Sequence, residues 1–309
     1  MTIDLDQLRA ESVAFSDSHA PQTRVSYALD WRDFESWCTV TASSPLPAAP
    51  ETVILYLTDL LHRLKITTAR RHAAAINYYH RQAGLTLPAD YRSCALFNGA
   101  QRIRCEQPRQ KRAISVEQLR EMCTAALPGS VSHQVRNRSI LTLGFASALR
   151  RANLVALDLG DVAFAPEGLV IQIRQEKQDR KGVGRTLAVP RGKHEETCAV
   201  RSLRAWVALR GTLPGPLFLP VVNGVIQHRR LHPGTIAQAV KEAAAAIGLE
   251  ADAYAGHSMR SGMVTAAFQA GLGEIAIASQ TGHKSLTSLR RYFRCTDLFA
   301  ANPSGMIGL

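Results

Sequence analysis

Apolar side chains recur at helical spacing through most of this chain and switch to strict alternation only once. Pro21-Gln22-Thr23-Arg24 opens a segment with Tyr27, Leu29, Trp31, Phe34 and Trp37 at mostly helical spacings, and Pro50-Glu51-Thr52 opens a second carrying Val53, Ile54, Tyr56, Leu57, Leu60 and Leu61. Thr67 or Thr68 is a candidate cap for a third helix with Ala73, Ile76 and Tyr79 on one face, ending near Gly84. A further helix is expected from Ala89 to about Arg104, which makes residues 1–107 a bundle of four or five helices.

Pro108-Arg109-Gln110-Lys111-Arg112 is short, basic and without apolar periodicity, so residues 108–113 read as a linker. Ser115, followed three residues later by Gln118, is a capping box for the first helix of a second domain, 114–309. That domain begins helical, with a segment from Arg136 to Leu157. Leu169, Ile171 and Ile173 then alternate with polar neighbours, as do Leu187 and Val189 beyond Gly182 and Gly184, which predicts a β-hairpin with a long charged turn. Helical spacing returns over 198–210, 233–247, 257–270, 274–281 and 285 to about 293. The expected fold is mainly α with one small antiparallel β-hairpin.

Composition narrows the classes. No apolar run approaches the roughly 18–20 residues that a membrane span needs, and the acidic N-terminus lacks a signal-peptide core. Six cysteines (38, 94, 105, 123, 198, 295) contain no C-x-x-C, so neither a zinc site nor a disulfide framework is indicated. The plain expectation is a cytoplasmic protein with reduced thiols and no membrane partner. Residues 1–107 carry 11 Lys and Arg against 11 Asp and Glu, whereas 108–309 carry 26 against 14, so the whole net charge of +12 lies in the second domain. A basic half suits nucleic acid, an anionic membrane surface or simply a well-solvated exterior.

Individual residues decide between these. Arg150 sits in Ser147-Ala148-Leu149-Arg150-Arg151, between apolar runs, where a cation needs an anion. Asp158 or Asp161 nearby in the chain would serve, and so would a bound one. Lys177 lies where the first hairpin strand gives way to the turn, a place from which a general acid can be delivered. His257 and Arg260 are one helical turn apart at a helix start, where backbone N–H groups also favour an anion. His283 follows Gly282 in Thr281-Gly282-His283-Lys284-Ser285, and Tyr292 comes nine residues later. Neither histidine has a second ligand at metal spacing. Cations and imidazoles around a phenol are the groups needed where a phosphodiester is attacked by tyrosine.

Ala148-Leu149-Arg150, Lys177, His257-Ser258-Met259-Arg260, Thr281-Gly282-His283-Lys284-Ser285 and Arg291-Tyr292 together resemble, in type, order and spacing, the tyrosine recombinase (phage integrase) family. The resemblance covers about 112–295. It implies a mixed α+β catalytic domain preceded by a SAM-like helical core-binding domain. Two departures stand out: Ala148 where the family has glycine, and Asn153 where it has an acid three positions after the first arginine.

The resemblance implies a site-specific recombinase that cuts and rejoins double-stranded DNA through a 3′-phosphotyrosyl intermediate and a Holliday junction. It acts as a homotetramer on two sites, with no metal or other cofactor, in some cases with an accessory directionality factor. Tyr292 would be the nucleophile and Arg150 and Arg260 the phosphate clamp. His283 would be a further donor, and His257 would assist proton movement at the tyrosine. Lys177 would be the general acid, with Lys181 as the other candidate. Arg109, Lys111, Arg112, Arg151, Arg229, Arg230 and Arg290 are candidate DNA contacts. A type IB topoisomerase shares the chemistry, and a catalytically silent DNA-binding protein shares the fold.

Overall fold

A computed structural model of the chain describes residue 19 and residues 21–105, 110–174, 176, 183–290 and 292. Arg109, Lys177, Lys181, Arg291 and the expected helix end near Phe293 lie outside the described residues. The chain divides into two compact units, Met1–Arg109 and Gln110–Leu309.

The first unit contains four described helices: α1 (Pro21–Val40), α2 (Pro50–Arg63), α3 (Ile66–Gln82) and α4 (Tyr91–Arg104). Pro50 stands at the start of α2, where its missing N–H costs nothing. The expected threonine cap of α3 is not used; the helix begins at Ile66 after an extended Lys65 with no side-chain cap. Asp90 caps α4, its carboxylate accepting from Arg92 N at 2.9 Å. Trp31, Phe34, Tyr56, Leu57, Leu60 and Ile76 form the core, while Leu29 is 60% exposed and lies off the buried face of α1.

The second unit opens with α5 (Val116–Thr124), whose Ser115–Gln118 capping box is formed from both sides. The expected single helix to Leu157 is instead two, α6 (Val131–Ser147) and α7 (Arg151–Ala156). The break is at Ala148, buried and left-handed at φ 50°. Helix α6 runs through the centre of the unit, with Arg136, Asn137 and Ser139–Gly144 all buried, so its sequence shows no exposed polar face.

The expected hairpin is present as β2 (Gly168–Ile173) and β3 (Arg185–Pro190), antiparallel with Leu169 opposite Val189 and Ile171 opposite Leu187. A short strand missed in the sequence, β1 (Val162–Phe164), extends it to a three-stranded sheet in the order β1-β2-β3. After α8 (Ala199–Arg210) comes a two-residue ribbon, β4 (Val221–Val222) with β5 (Val225–Ile226). Then follow α9 (Pro233–Ala246), α10 (Gly256–Gln269), α11 (Glu274–Thr281) and α12 (Leu286–Arg290). Residues read as linker are tied to this unit: Arg112 N donates to Ala253 O at 2.8 Å, and Lys111 Nζ to Asp252 O. Beside them α10 packs so closely that a Cβ at Gly262 would stand 2.0 Å from Ile114 O. Among the described residues no helix is long and apolar enough to cross a membrane.

Candidate active site

The break between α6 and α7 places two arginines at once. Because Ala148 leaves the helical path, its carbonyl is not consumed by the ladder, and Arg260 Nη1 donates to it at 2.6 Å. Two residues on, Arg150 is the extended residue that starts α7. Arg260 is the fifth residue of α10 and is fully buried, while the Arg150 side chain is 23% exposed. Arg260 Nε, Arg150 Nη1 and, beside Glu176, Arg185 Nε are buried with no hydrogen-bond partner among the described residues, the first two on the side that Tyr292 closes. Unmet donors of this kind cost about 1–3 kcal/mol each. Arg150 and Arg260 together, with unmet donors beside a tyrosine, can receive an anion.

Burial pulls the Arg260 guanidinium down to about 10, and the positive charge of Arg150 acts in the same direction, opposed by Tyr292 and Glu176. It therefore stays cationic at neutral pH. Arg150 does not pair with Asp158 or Asp161, as its chain neighbours suggested. Those carboxylates are held by Arg174, at 3.2 and 2.7 Å, and Asp158 also by Arg230 at 2.6 Å. The acid near Arg150 is Glu176, 3.9 Å away.

Helix α11 ends at Gly282, left-handed at φ 70°, and this turn carries His283. Arg185 Nη1, from the start of β3, donates to the terminal carbonyl of Gln280 at 3.2 Å, and Gln280 Nε2 reaches Ala146 O at 3.1 Å. The turn is thus fixed to both the sheet and the end of α6. Thr281 Oγ1 donates to Ile277 O at 2.7 Å, which leaves its oxygen to accept from His283 Nδ1 at 2.6 Å. A neutral imidazole has a single N–H, so Nε2 presents its lone pair to Arg260 Nη2 at 3.0 Å. Burial, then the charges of Arg260, Arg150 and His257, lower His283 to about 4, which makes it neutral at physiological pH.

Tyr292 completes the group. Its ring centroid lies 5.1 Å from that of His257 and 5.1 Å from that of His283, and Arg260 Cζ is 5.9 Å from it. Its backbone N–H donates to Leu289 O at 2.9 Å, and the ring packs on the small cluster of Val264, Ala267, Ile277 and Leu289. Five of the six residues singled out as catalytic, from four separate helices or turns, therefore converge. The sixth, Lys177, lies outside the described residues. Among the described residues no group of three His, Cys, Asp or Glu side chains could hold a metal ion.

The candidate DNA contacts fall into two groups. All six described ones, Lys111, Arg112, Arg151, Arg229, Arg230 and Arg290, are exposed, but three of them also have partners inside the unit, Lys111 on Asp252 O. Arg230 closes the end of α7, donating to the Val155 and Ala156 carbonyls at 2.8 and 2.9 Å, and Arg290 ties α12 to Glu274 at 2.9 Å. Reading the residues alone missed Glu176 and Arg185. The signal available for Glu176 was an acid next to a candidate catalytic lysine in a chain whose expected acid, at 153, is an amide.

The model of the phage integrase family matches residues 112–298. An integrase/recombinase xerD homologue of Selenomonas ruminantium is 33% identical over 290 residues, covering 92% of this chain and 85% of that one. Among solved structures, a lambda integrase dimer bound to a COC′ core site superposes with a TM-score of 0.62 at 16% identity, covering 96% of this chain and 97% of that one. A lambda integrase tetramer bound to a Holliday junction gives 0.57 at 14% identity, covering 93% and 75%. The two arginines, two histidines and tyrosine thus sit in a fold shared with these enzymes, and the chain belongs to the phage integrase family, that of the tyrosine recombinases.

Proposed function

We propose that this site-specific DNA recombinase cuts one strand at a time, with Tyr292 as nucleophile. The Tyr292 Oη–phosphorus bond forms as the bond from phosphorus to the 5′-oxygen breaks, leaving a 3′-phosphotyrosyl link and a free 5′-hydroxyl. Arg150 and Arg260 hold the non-bridging oxygens and meet the negative charge of the transition state. His257, exposed and ring-to-ring with Tyr292, takes the phenolic proton. His283 orients Arg260; a proton shifted to its Nε2, with Thr281 turning to donate into Nδ1, makes it a donor to phosphate as well. Lys177 gives a proton to the leaving oxygen, with Lys181 as the other candidate. Rejoining reverses these steps with a different 5′-hydroxyl. The phosphodiester energy is kept in the covalent link, so the reaction calls for no metal or nucleotide.

The observation that carries this reading is the pair of unmet guanidinium donors in the cluster that Tyr292 closes. In keeping with the dimeric and tetrameric lambda integrase structures, four copies would assemble on two DNA sites, with a directionality factor as a further partner. Arg109, Lys111, Arg112, Arg151 and Arg229 would contact phosphates, with Arg230 and Arg290 in smaller part because internal carboxylates share them. Most of the affinity would then fall steeply with salt. A suicide duplex that loses its 5′-hydroxyl fragment after cleavage tests the chemistry. Wild type should accumulate a covalent adduct in EDTA and Tyr292→Phe should form none; a wild type that forms no adduct on any nicked recombination site contradicts the reading.

A further inference from the structure

The resemblance leads one to expect an acid at position 153, where this chain has an amide. We propose that Glu176 is a positioning residue that supplies the negative charge behind Arg150 and Arg185, with Asn153 as its neutral partner. This rests on the recombinase reading above.

The geometry is a closed set. Glu176 Oε1 accepts from Asn153 Nδ2 at 3.1 Å and from Arg185 Nη2 at 3.4 Å, and stands 3.9 Å from Arg150 Nη1. Glu176 Oε2 lies 3.4 Å from Arg185 Nε. Its side chain is only 8% exposed and Asn153 only 6%. So buried a carboxylate needs cations and donors on it, and it has both here: two guanidiniums and an amide. Gly282, left-handed, completes the enclosure, since a Cβ there would meet Glu176 Oε2 at 2.8 Å and Arg185 Nε at 2.9 Å. One carboxylate therefore touches the start of α7, the start of β3 and the turn bearing His283. Glu176 is also the residue before Lys177 in the chain.

The two positions are complementary. An aspartate at 153 facing Glu176 would put two carboxylates about 3 Å apart, where both cannot stay ionised. An amide at 153 lets a single full charge sit at 176 and still donates to it. The charge count next to Arg150 is then that of a site with an acid at 153, delivered from the sheet instead of from α7.

The test is a charge swap: wild type, Glu176→Gln, Asn153→Asp and the double variant, compared in single-turnover cleavage of the suicide duplex across pH and in thermal unfolding. Glu176→Gln should slow cleavage by about 10–100-fold, the usual scale for a group that orients others. Asn153→Asp alone should add an ionisation to the pH–rate profile that wild type lacks and should lower the melting temperature. In the double variant the carboxylate is back on α7, so cleavage should recover to within a few-fold of wild type and the melting temperature should return. A double variant as slow as Glu176→Gln overturns the relocation, and so do Asn153→Asp shifts that are the same in the wild-type and Glu176→Gln backgrounds. The melting series reports on it even if wild type forms no adduct, so failure of the recombinase reading and failure of the relocation are distinguishable.

Discussion

Arg136 and Arg260 are both buried almost completely in the second unit, and they are buried for opposite purposes. Arg136, 2% exposed in the middle of α6, gives Nε and Nη2 to Asn137 Oδ1 at 3.1 and 2.9 Å and has the charge of Glu242 to oppose its desolvation. Arg260, fully buried, has a carbonyl and a neutral imidazole for hydrogen-bond partners, Tyr292 and Glu176 to oppose its desolvation but another arginine acting against them, and an Nε that donates to nothing among the described residues. Burial lowers both to about 10. The difference lies in what remains unmet. Arg136 is complete without a ligand, whereas Arg260 and Arg150 are complete only around an anion. Burial of a charge is thus no guide to function until its partners are counted.

Substituting each arginine should separate stability from activity. Arg260→Gln should reduce single-turnover cleavage by on the order of 10²–10³-fold while leaving the melting temperature equal or higher, because a buried charge with an unmet donor and a second arginine beside it is removed. Arg136→Met should do the reverse: cleavage per folded molecule persists, and chemical denaturation shows a loss of about 1–3 kcal/mol from the buried Asn137 Oδ1 left without its two guanidinium donors. If both substitutions cut stability and activity in proportion, the distinction fails.

A smaller effect sharpens the electrostatics. His283 should titrate near 4 by NMR in the free protein, and Arg260→Gln should move it up toward the ordinary value of about 6.5. Because its folded pKa lies below the unfolded one, the folded chain binds fewer protons between these values. Its contribution to stability is therefore full above about pH 6.5, declines as pH falls toward 4 and is flat below. Binding a DNA phosphate should raise the value, since an anion favours the imidazolium. An unshifted His283 near 6.5 in the free protein would show that the buried, cationic surroundings of this imidazole are not assembled without DNA.

The smallest effect concerns Ala148. A left-handed alanine costs about 1–2 kcal/mol, partly offset by the roughly 0.8 kcal/mol of its buried methyl group. Ala148→Gly should therefore be stabilising by well under 2 kcal/mol, read from denaturant unfolding, with cleavage unchanged within a few-fold. A loss of stability would mean that the break between α6 and α7 depends on packing rather than on backbone conformation.

What could be read from the residues follows from how local each signal is. His257 with Arg260, and Thr281-Gly282-His283, are short-range patterns at helix ends, and each sits where its spacing placed it. The α6–α7 break was not legible, because a helix buried on every side shows no periodicity to interrupt and an alanine gives no turn signal. Strand β1 is three residues long, too short for alternation to register. Arg150 was matched to acids near it in sequence, yet its neighbour Glu176 comes from beyond β2, a pairing that only the sheet brings about. That Asn153 and Glu176 form one unit was invisible for the same reason.

The proposed chemistry rests on Tyr292 as nucleophile. The most direct measurement is peptide mapping by mass spectrometry of the adduct trapped on the suicide duplex. The predicted result is a nucleotide remnant joined through its 3′-phosphate to the peptide carrying Tyr292, with a 5′-hydroxyl on the released strand. A remnant on any other residue, or a link through a 5′-phosphate, would contradict it.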